Sequence, residues 1–234
     1  MMKRKIGIVI PARNEEQSLQ KVLEGIRDPN GPLSAKVFVV DDGSTDETFA
    51  VANNCSKTVE VIRHPVALGV GGALKTGYLL AQEWGADAIV QLDADGEHDP
   101  KEIDGLLQPV LDGKADMVIG SRFMNGAPRP LSLTRRVGIR FFSWLLNRLT
   151  GYELTDVTSG FRAFKGDLLD KVMFPCEGHW AFGMALLASK HRLSVVEVPV
   201  TPLKRKSGES QFHEIMTFIL YPLRVMKQIV DVYL

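Results

Sequence analysis

Cysteine is scarce in this chain of 234 residues, which contains only Cys55 and Cys176. The two lie far apart in the sequence and form no CxxC pair. We therefore expect both to be reduced thiols packed in the core of a protein from a reducing compartment.

Long hydrophobic runs are absent as well. No stretch reaches the roughly 18 uninterrupted apolar residues that a bilayer-spanning helix needs. The N-terminal sequence MMKRKIGIVIPARNE has a basic start and a short apolar run, which predicts a strand rather than a signal peptide. We expect a soluble protein or one that lies on a membrane surface.

The chain has no net charge, because 28 basic residues balance 28 acidic ones. This balance argues against a nucleic-acid-binding protein, although it leaves local charged patches open. Hydrophobic residues make up 45% of the chain, close to the globular average and enough for the core of a single domain.

The first 120 residues alternate between two kinds of segment. Short runs rich in Val and Ile predict buried parallel strands at Ile6–Ile10, Val37–Val40, Val59–Ile62, Ala88–Leu92 and Met117–Ile119. Amphipathic segments between them predict helices at Glu16–Ile26, Thr45–Asn54, Gly71–Trp84 and Lys101–Leu111. This alternation predicts an α/β fold with a mostly parallel open sheet, right-handed crossovers and helices on both faces.

The pattern changes after Gly120. A helix is predicted at Leu133–Leu149, followed by the turn-rich stretch TDVTSGFR, a short helix, a helix near Phe182–His191 and a strand at Leu193–Val198. A basic loop, KRKSGES, leads to the apolar, amphipathic residues 214–234, whose Pro222 and charged residues preclude a simple membrane span. This last segment lies on a bilayer, packs on the domain or pairs with another chain.

Acidic side chains cluster where the fourth predicted strand ends, in the sequence LDADGEHDP. Ligands of such sheets bind beyond the carboxyl ends of the strands. Asp93 and Asp95 are two residues apart and would share one side of a continuing strand, where two carboxylates repel unless a cation lies between them. Mg²⁺ and Mn²⁺ prefer oxygen ligands of this kind, so we predict a metal site here. Glu97 is either a third ligand or a solvated acid.

Local structure accounts for some of the neighbouring polar residues. Asp99 followed by Pro100 has the pattern of a helix start, so Asp99 is assigned to capping. Asp41 and Asp42 have no such duty, and one of them is predicted to accept hydrogen bonds from a nucleotide. Pro11 is predicted to end the first strand, and Asn14 has a capping role as its alternative. The sequence GVGGALKTG lacks the GK[ST] ending of a P-loop.

Six motifs occur in one characteristic order: IVIPARNE, VVDDGSTDET, LDADGEHDP, GSR, DVTSGFRAF, and VPV followed by GES. From Ile8 to about Phe212 the chain thereby resembles the family 2 glycosyltransferases of GT-A fold. Within that family it is similar to the polyprenyl-phosphate glycosyltransferases, which include dolichyl-phosphate mannose synthase. The resemblance implies one catalytic domain at 1–212, with a nucleotide-sugar half to about 120 and an acceptor half from about 121, and a C-terminal amphipathic helical segment at 213–234.

The resemblance also implies roles for individual residues. Asp95, Arg122 and Arg136 would be catalytic, and Mg²⁺ or Mn²⁺ would be held by Asp93, Asp95 and Glu97. The nucleotide sugar would contact Pro11, Ala12, Asn14, Glu15, Asp42, Asp93, Ala94 and Asp95. The acceptor phosphate would contact Arg122, Arg136, Ser159, Arg205 and Lys206.

A general base is missing from the expected place. Inverting sugar transferases that use a hydroxyl acceptor need a carboxylate base, yet Glu177 is the only acid in the corresponding sequence EGHWAFGMALL. A phosphate acceptor explains this, because a phosphate monoester is already largely ionised at pH 7. The predicted reaction moves a hexose from GDP-mannose, UDP-glucose or UDP-N-acetylglucosamine to polyprenyl phosphate.

Arginine is concentrated between Met117 and Tyr152, a stretch with six arginines and no acid. Aromatic residues such as Trp144 lie among them, which suits phosphate, an isoprenoid chain and a membrane surface. The alternative is a core helix whose polar face carries arginine. We expect a protein at the cytoplasmic face of a membrane.

Two other functions stay open at this point. The acceptor is a sugar or protein hydroxyl if Glu177 or Asp156 serves as base. Alternatively, the chain is a membrane-surface module that binds nucleotide sugar without turnover. A nucleotidyltransferase is disfavoured, because the loop after the first strand reads PARNE instead of a glycine-rich basic sequence.

Overall fold

A twisted open sheet forms the centre of the computed structural model, which describes residues 4–26, 33–55, 58–124, 131–172, 180–203 and 225–232. In these ranges the sheet has seven strands in the order β3-β2-β1-β4-β6-β5-β7. Their bounds are β1 Arg4–Ala12, β2 Leu33–Asp41, β3 Val59–Arg63, β4 Ala88–Gln91, β5 Met117–Ser121, β6 Arg162–Lys165 and β7 Val195–Pro199. The predicted α/β class with a mostly parallel sheet is confirmed.

Helices cover both faces of the sheet, as predicted. They are α1 Leu19–Gly25, α2 Thr48–Asn53, α3 Gly69–Glu83, α4 Ile103–Leu111, α5 Leu133–Thr150, α6 Leu169–Val172 and α7 Trp180–Lys190, with 3₁₀ turns at Pro100–Glu102 and Gly166–Leu168. One core contains the apolar sides of α1 and α4. A second core on the opposite face contains those of α3 and α7.

Strand β6 was not predicted, since the sequence suggested only turns before a short helix. It pairs antiparallel with both β4 and β5 and so separates the two halves of the parallel sheet. Its first residue, Arg162, is fully buried. The guanidinium donates to three carbonyl oxygens, those of Val157, Ser159 and Ala181, and these bonds allow a charged residue in a central strand.

The first strand is longer than predicted. Pro11 does not end β1, which runs on to Ala12 and pairs with β2 along its whole length. Proline is tolerated here because the pairing of β1 with β4 stops at Val9, so Pro11 faces no further partner residue on that side.

Helix α5 has clear boundary signals. The Ser132 hydroxyl accepts a hydrogen bond from the Arg135 backbone amide, and Gly151 ends the helix in the left-handed region with φ of 76°. Ile139, Ser143 and Leu146 form its buried side. Opposite them, Val137, Phe141 and Trp144 are exposed.

The described part of the C-terminal segment, residues 225–232, is helical. Val225 and Val232 pack into a third apolar core together with α5 and α7 residues, so this part of the segment packs on the domain. Met226 and Val230 on the same helix stay exposed. Within the described ranges we find no helix with both the length and the apolar character required to cross a membrane.

Candidate active site

Loops at the carboxyl ends of β1 and β2 are tied together by hydrogen bonds. Asn14, with a positive φ of 55°, accepts the Thr45 backbone amide at its side-chain oxygen and donates its own amide to the Ser44 hydroxyl. The Glu15 amide donates to the Thr48 hydroxyl. Asn14 therefore does not cap α1, which begins at Leu19, and instead fixes the edge where the nucleotide sugar was predicted to bind.

The other predicted nucleotide-sugar contacts at this edge differ in exposure. Pro11 and Glu15 are half-buried, whereas Ala12 and Ala94 are buried. The two buried alanines lie in the core shared with α1 and α4. Any contact they make with a nucleotide therefore runs through their backbone rather than an exposed side chain.

Asp42 has a structural duty that the sequence did not reveal. Its carboxylate accepts hydrogen bonds of 2.8 Å from the Leu68 and Gly69 amides at the start of α3, and His64 Nδ1 lies 2.8 Å away. The side chain is buried. In this structure Asp42 therefore anchors the loop between β3 and α3, and its oxygens are already in use. Its neighbour Asp41 is fully buried and forms an ion pair with Arg63 at 3.2 Å.

Asp93 and Asp95 lie just beyond the end of β4 and are both half-buried. Burial is the main cause that raises the pKa of Asp93 to about 7, and the negative charge of Asp95 adds to it. The Gln91 amide nitrogen lies 3.5 Å from Asp93 Oδ1, and Asp95 Oδ1 accepts the Glu97 backbone amide at 2.9 Å. A bound cation would relieve the repulsion between these two neighbouring carboxylates.

Gly160, in the TSGF motif, makes room for Asp93. A Cβ atom at position 160 would stand 2.3 Å from Asp93 Oδ2, closer than atoms can approach. The motif that the resemblance assigned to the acceptor side thus supports the predicted metal ligand. Ser159 itself is fully buried, and its hydroxyl accepts the Phe161 amide at 3.3 Å. Its predicted contact with the acceptor phosphate does not fit that burial.

Glu97 is paired with Arg135 at the start of α5. Its two carboxylate oxygens accept guanidinium hydrogen bonds of 3.2 and 3.0 Å. Burial alone would raise the pKa of Glu97, but the hydrogen bond and charge of Arg135 outweigh it and lower that pKa. The predicted set of three acids is therefore not assembled: within the described ranges no three potential metal-ligating side chains converge.

Arg122 is buried and locked to Asp156. Its guanidinium donates to the two Asp156 oxygens at 2.7 and 2.9 Å and to Thr158 Oγ1 at 3.3 Å. The Asp156 backbone amide in turn donates to Glu197 on β7. Asp156 is fully buried and its charge is paired with that of Arg122. It therefore does not suit the role of general base that the hydroxyl-acceptor alternative gave it.

Arg136 lies half-buried on the first turns of α5, and among the described residues no side-chain partner holds its guanidinium. Further along the helix, Arg140 lies over the Phe123 ring, with its guanidinium carbon 5.9 Å from the ring centroid. A cavity of about 560 Å³ opens here, lined by Phe123, Arg140, Ser143, Trp144, Asn147, Arg148, Leu154 and Thr155. Arg205, Lys206 and Glu177 lie outside the described residues.

His98 is a buried residue of the site that sequence reasoning missed. It packs on Phe161 with ring centroids 5.1 Å apart. Burial and the nearby Arg122 lower the pKa of His98 to about 4, so the ring is neutral at pH 7. The only available signal was its place inside the acidic motif. Asp99 next to it caps the following 3₁₀ turn through the Lys101 amide, as predicted.

A divalent cation fits this donor set. Asp93 and Asp95 offer carboxylate oxygens at the exit of β4, and the pKa of Asp93 is raised mainly by burial and further by the charge of Asp95, both of which a cation would offset. Mg²⁺ sites of this type use one or two carboxylates and complete their coordination with substrate phosphate oxygens and water. Two ligands from the protein are therefore enough. In this structure Glu97 forms an ion pair with Arg135 instead.

Comparison with known proteins gives the family. The model for "Glycosyl transferase family 2" matches residues 7–173, which is more than half of the chain. The chain belongs to glycosyl transferase family 2. That assignment confirms the resemblance drawn from the motifs and the conclusion that the chain is an enzyme of this family.

Two relatives illustrate the family members to which the chain is similar. It is 32% identical to a UDP-N-acetylglucosamine–dolichyl-phosphate N-acetylglucosaminyltransferase of Methanococcus voltae, over 97% of this chain and 98% of that protein. It is 34% identical to an undecaprenyl-phosphate mannosyltransferase of Micrococcus luteus, over 87% of this chain and 85% of the relative.

The fold also matches that of solved structures. Glucosyl-3-phosphoglycerate synthase from Mycobacterium tuberculosis, solved in complex with Mn²⁺, UDP and glucosyl-3-phosphoglycerate, superposes with a TM-score of 0.74. The match covers 97% of this chain and 79% of that one, at 21% identity. It supports the predicted GT-A architecture.

Proposed function

We propose that this enzyme transfers a hexose from a nucleoside diphosphate sugar to the phosphate of a polyprenyl lipid, with inversion at the anomeric carbon. The observation that carries the proposal is a pair of acids suited to a metal ion, with no available general base beside them among the described residues. Asp93 and Asp95 stand at the exit of β4, and the described acid nearest to Arg122, Asp156, is consumed by an ion pair. An acceptor that is already ionised needs no base.

Asp93 and Asp95 would hold Mg²⁺ or Mn²⁺. The cation, when bound, supplies Lewis-acid stabilisation to the leaving nucleoside diphosphate. Gly160 leaves space for the Asp93 carboxylate, and Asn14 fixes the loops that face the nucleotide. Asp42 stabilises this edge by accepting hydrogen bonds from backbone amides at the start of α3.

Arginines would position the acceptor phosphate. Arg122 is rigidly oriented by Asp156 and lies close enough to Asp93 and Glu97 for their charges to influence it. Among the described residues no side chain holds the Arg136 guanidinium, so it is available to bind a phosphate. Arg205 and Lys206 complete the proposed acceptor set on the sequence argument alone.

The exposed side of α5 would face the membrane that contains the acceptor. Leu133, Val137, Phe141 and Trp144 are each more than half exposed, and Arg140 and Arg148 border the cavity beside them. Aromatic and apolar side chains next to arginines are typical of helices that lie at a bilayer surface. We infer peripheral association with the cytoplasmic face of a membrane.

The test is transfer of radiolabelled sugar from a panel of nucleotide sugars to polyprenyl phosphate with Mg²⁺ or Mn²⁺. We expect product with the wild-type protein, none without metal, and a loss of at least a hundredfold for Asp95→Ala. Asp104 is an exposed acid on α4, so Asp104→Ala is the matched control and should leave the rate unchanged. Transfer to a soluble sugar with none to lipid phosphate would contradict the proposal.

A further inference from the structure

A hydrogen-bonded pair of buried side chains stands behind the proposed metal site. Gln91, the last residue of β4, is fully buried, and Tyr78 on α3 is nearly so. The Tyr78 hydroxyl donates to Gln91 Oε1 at 2.5 Å, while Gln91 Nε2 lies 3.5 Å from Asp93 Oδ1. The three side chains thus connect the interior face of α3 with the proposed metal site.

The chemistry of the groups sets the direction of this chain of contacts. The Gln91 amide nitrogen is the atom that faces Asp93, and an amide NH₂ group only donates, so the Asp93 oxygen is the acceptor. The Gln91 oxygen then faces Tyr78, which has to donate. Burial raises the pKa of Tyr78 far above neutral, so the phenol keeps the proton that this requires.

Packing holds the phenol in place. The Tyr78 ring meets Phe164 of β6 edge to face, with centroids 5.2 Å apart, and its hydroxyl lies 3.9 Å from Met184 Sδ on α7. Neither the ring nor the hydroxyl is exposed enough to exchange its partner for water. The orientation of the Gln91 amide is therefore set by the core of the domain.

We propose that Tyr78 and Gln91 are positioning residues for the metal site: the Tyr78 hydroxyl fixes the Gln91 amide, and the amide holds the Asp93 carboxylate in its ligating orientation. The inference rests on the proposed function, since it takes Asp93 as a metal ligand. Hydrogen bonds behind a ligating group typically change metal affinity by about ten- to a hundredfold when they are removed.

The experiment measures Mn²⁺ affinity directly, by electron paramagnetic resonance titration of the full chain with saturating UDP and, in parallel, GDP. Gln91→Leu and Tyr78→Phe should each raise the Mn²⁺ dissociation constant by about tenfold or more. Tyr152→Phe is the matched control, because it removes a hydroxyl that donates to the Leu193 carbonyl instead, and its Mn²⁺ affinity should equal that of the wild type.

Three outcomes are distinguishable. If Tyr78→Phe and Gln91→Leu both bind Mn²⁺ as tightly as the wild type, the positioning role is overturned while the proposed function stands. If the wild type fails to bind Mn²⁺ both in the presence of UDP and in the presence of GDP, the metal site and the proposed function fail together. If Gln91→Leu does not fold, Tyr78→Phe carries the test, since it removes one hydroxyl and keeps the ring that packs on Phe164.

Discussion

At the scale of single residues, the site depends on the space and charge around one carboxylate. Asp93 fits against Gly160 on one side, where a Cβ atom would collide with it, and lies beside the Gln91 amide on another. Its charge is opposed by burial and by Asp95. Small changes at these positions should therefore affect metal binding more than they affect the fold.

Gly160→Ala should abolish metal-dependent activity. The added methyl group would stand 2.3 Å from Asp93 Oδ2, so the carboxylate must leave its position. Calorimetric titration with Mn²⁺ and nucleotide measures the loss. Gly105→Ala is the control, since a Cβ there meets no atom within 4 Å and alanine stabilises an exposed helix position by about 0.5–1 kcal/mol. Unchanged Mn²⁺ binding by Gly160→Ala would show that Asp93 is not a ligand.

Asp93→Asn should stabilise the metal-free protein at alkaline pH. Because the folded-state pKa of Asp93, about 7, exceeds its ordinary value of 3.8, the folded protein retains a proton that the unfolded chain releases. Stability is thus lost as pH rises from about 4 to 7, by at most about 4 kcal/mol at 1.4 kcal/mol per pKa unit. Melting temperatures in EDTA should show the variant's advantage growing between pH 5 and pH 8.

Asp99→Asn is the control for that experiment, because asparagine caps a helix about as well as aspartate and Asp99 lies outside the cleft. The advantage that grows with pH should belong to Asp93→Asn and exceed any change seen for Asp99→Asn. A lower melting temperature for Asp93→Asn than for the wild type at pH 8 would mean that the Asp93 charge is compensated within the metal-free protein.

At the scale of elements, ion pairs join parts of the chain that are distant in sequence. Glu97 after β4 meets Arg135 of α5, and Arg122 after β5 meets Asp156 in the loop before β6. Glu197 of β7 accepts the amides of Thr155 and Asp156 and so fixes the same loop. Helix α5 and the loop before β6 are thereby fastened to the carboxyl edge of the sheet.

Asp156→Ala should lower the free energy of unfolding by about 3–5 kcal/mol, because it leaves the buried Arg122 guanidinium without a counterion. Chemical denaturation measures this value. Asp112→Ala removes an exposed partner of Lys114 and should leave the denaturation midpoint near that of the wild type. Equal midpoints for the two variants would show that Arg122 finds another partner or water.

Much of this element scale could be predicted from the sequence, but its long-range contacts could not. Runs rich in Val and Ile predicted the parallel strands, and Asp99 followed by Pro100 predicted a helix start. Strand β6 escaped prediction because it has four residues and begins with a buried arginine whose partners are backbone carbonyls. The pairing of Arg122 with Asp156 joins residues 34 positions apart, and no local pattern encodes it.

The same limit applies to the candidate site. The sequence predicted Asp93 and Asp95 as metal ligands because two carboxylates placed two residues apart at a strand exit repel each other unless a cation lies between them. It did not reveal the structural role of Asp42, whose carboxylate accepts backbone amides that only the folded chain brings near. It also missed Tyr78 and Gln91, because a tyrosine at a helical core position and a glutamine in a strand give no local sign of contact with the site.

At the scale of the whole molecule, a chain with zero net charge partly separates its charges, and Arg135 of α5 pairs with Glu97 where the two groups meet. Acids gather at the exits of the central strands, whereas α5 carries arginines and no acid. The exposed apolar residues of α5 lie beside those arginines. This separation suits a protein that works between a nucleotide in solution and a lipid phosphate in a bilayer.

Trp144→Ala and Arg140→Glu should each weaken binding to anionic vesicles. Trp144 loses an exposed aromatic contact, and Arg140→Glu reverses a charge that anionic lipid attracts. Cosedimentation with phosphatidylglycerol vesicles, at low and high salt, measures the effect. Leu79→Ser, an exposed apolar residue of α3, is the control and should bind like the wild type. Equal binding by all four proteins would exclude α5 from the membrane contact.

The most direct test of the central claim is a crystal structure with Mn²⁺ and a nucleoside diphosphate, with the ion located by its anomalous scattering. We predict one strong peak within coordination distance of carboxylate oxygens of Asp93 and Asp95 and of the diphosphate, with the Arg122–Asp156 pair intact beside it. A peak away from these two carboxylates, or a nucleotide bound without any metal at the exit of β4, would contradict the account.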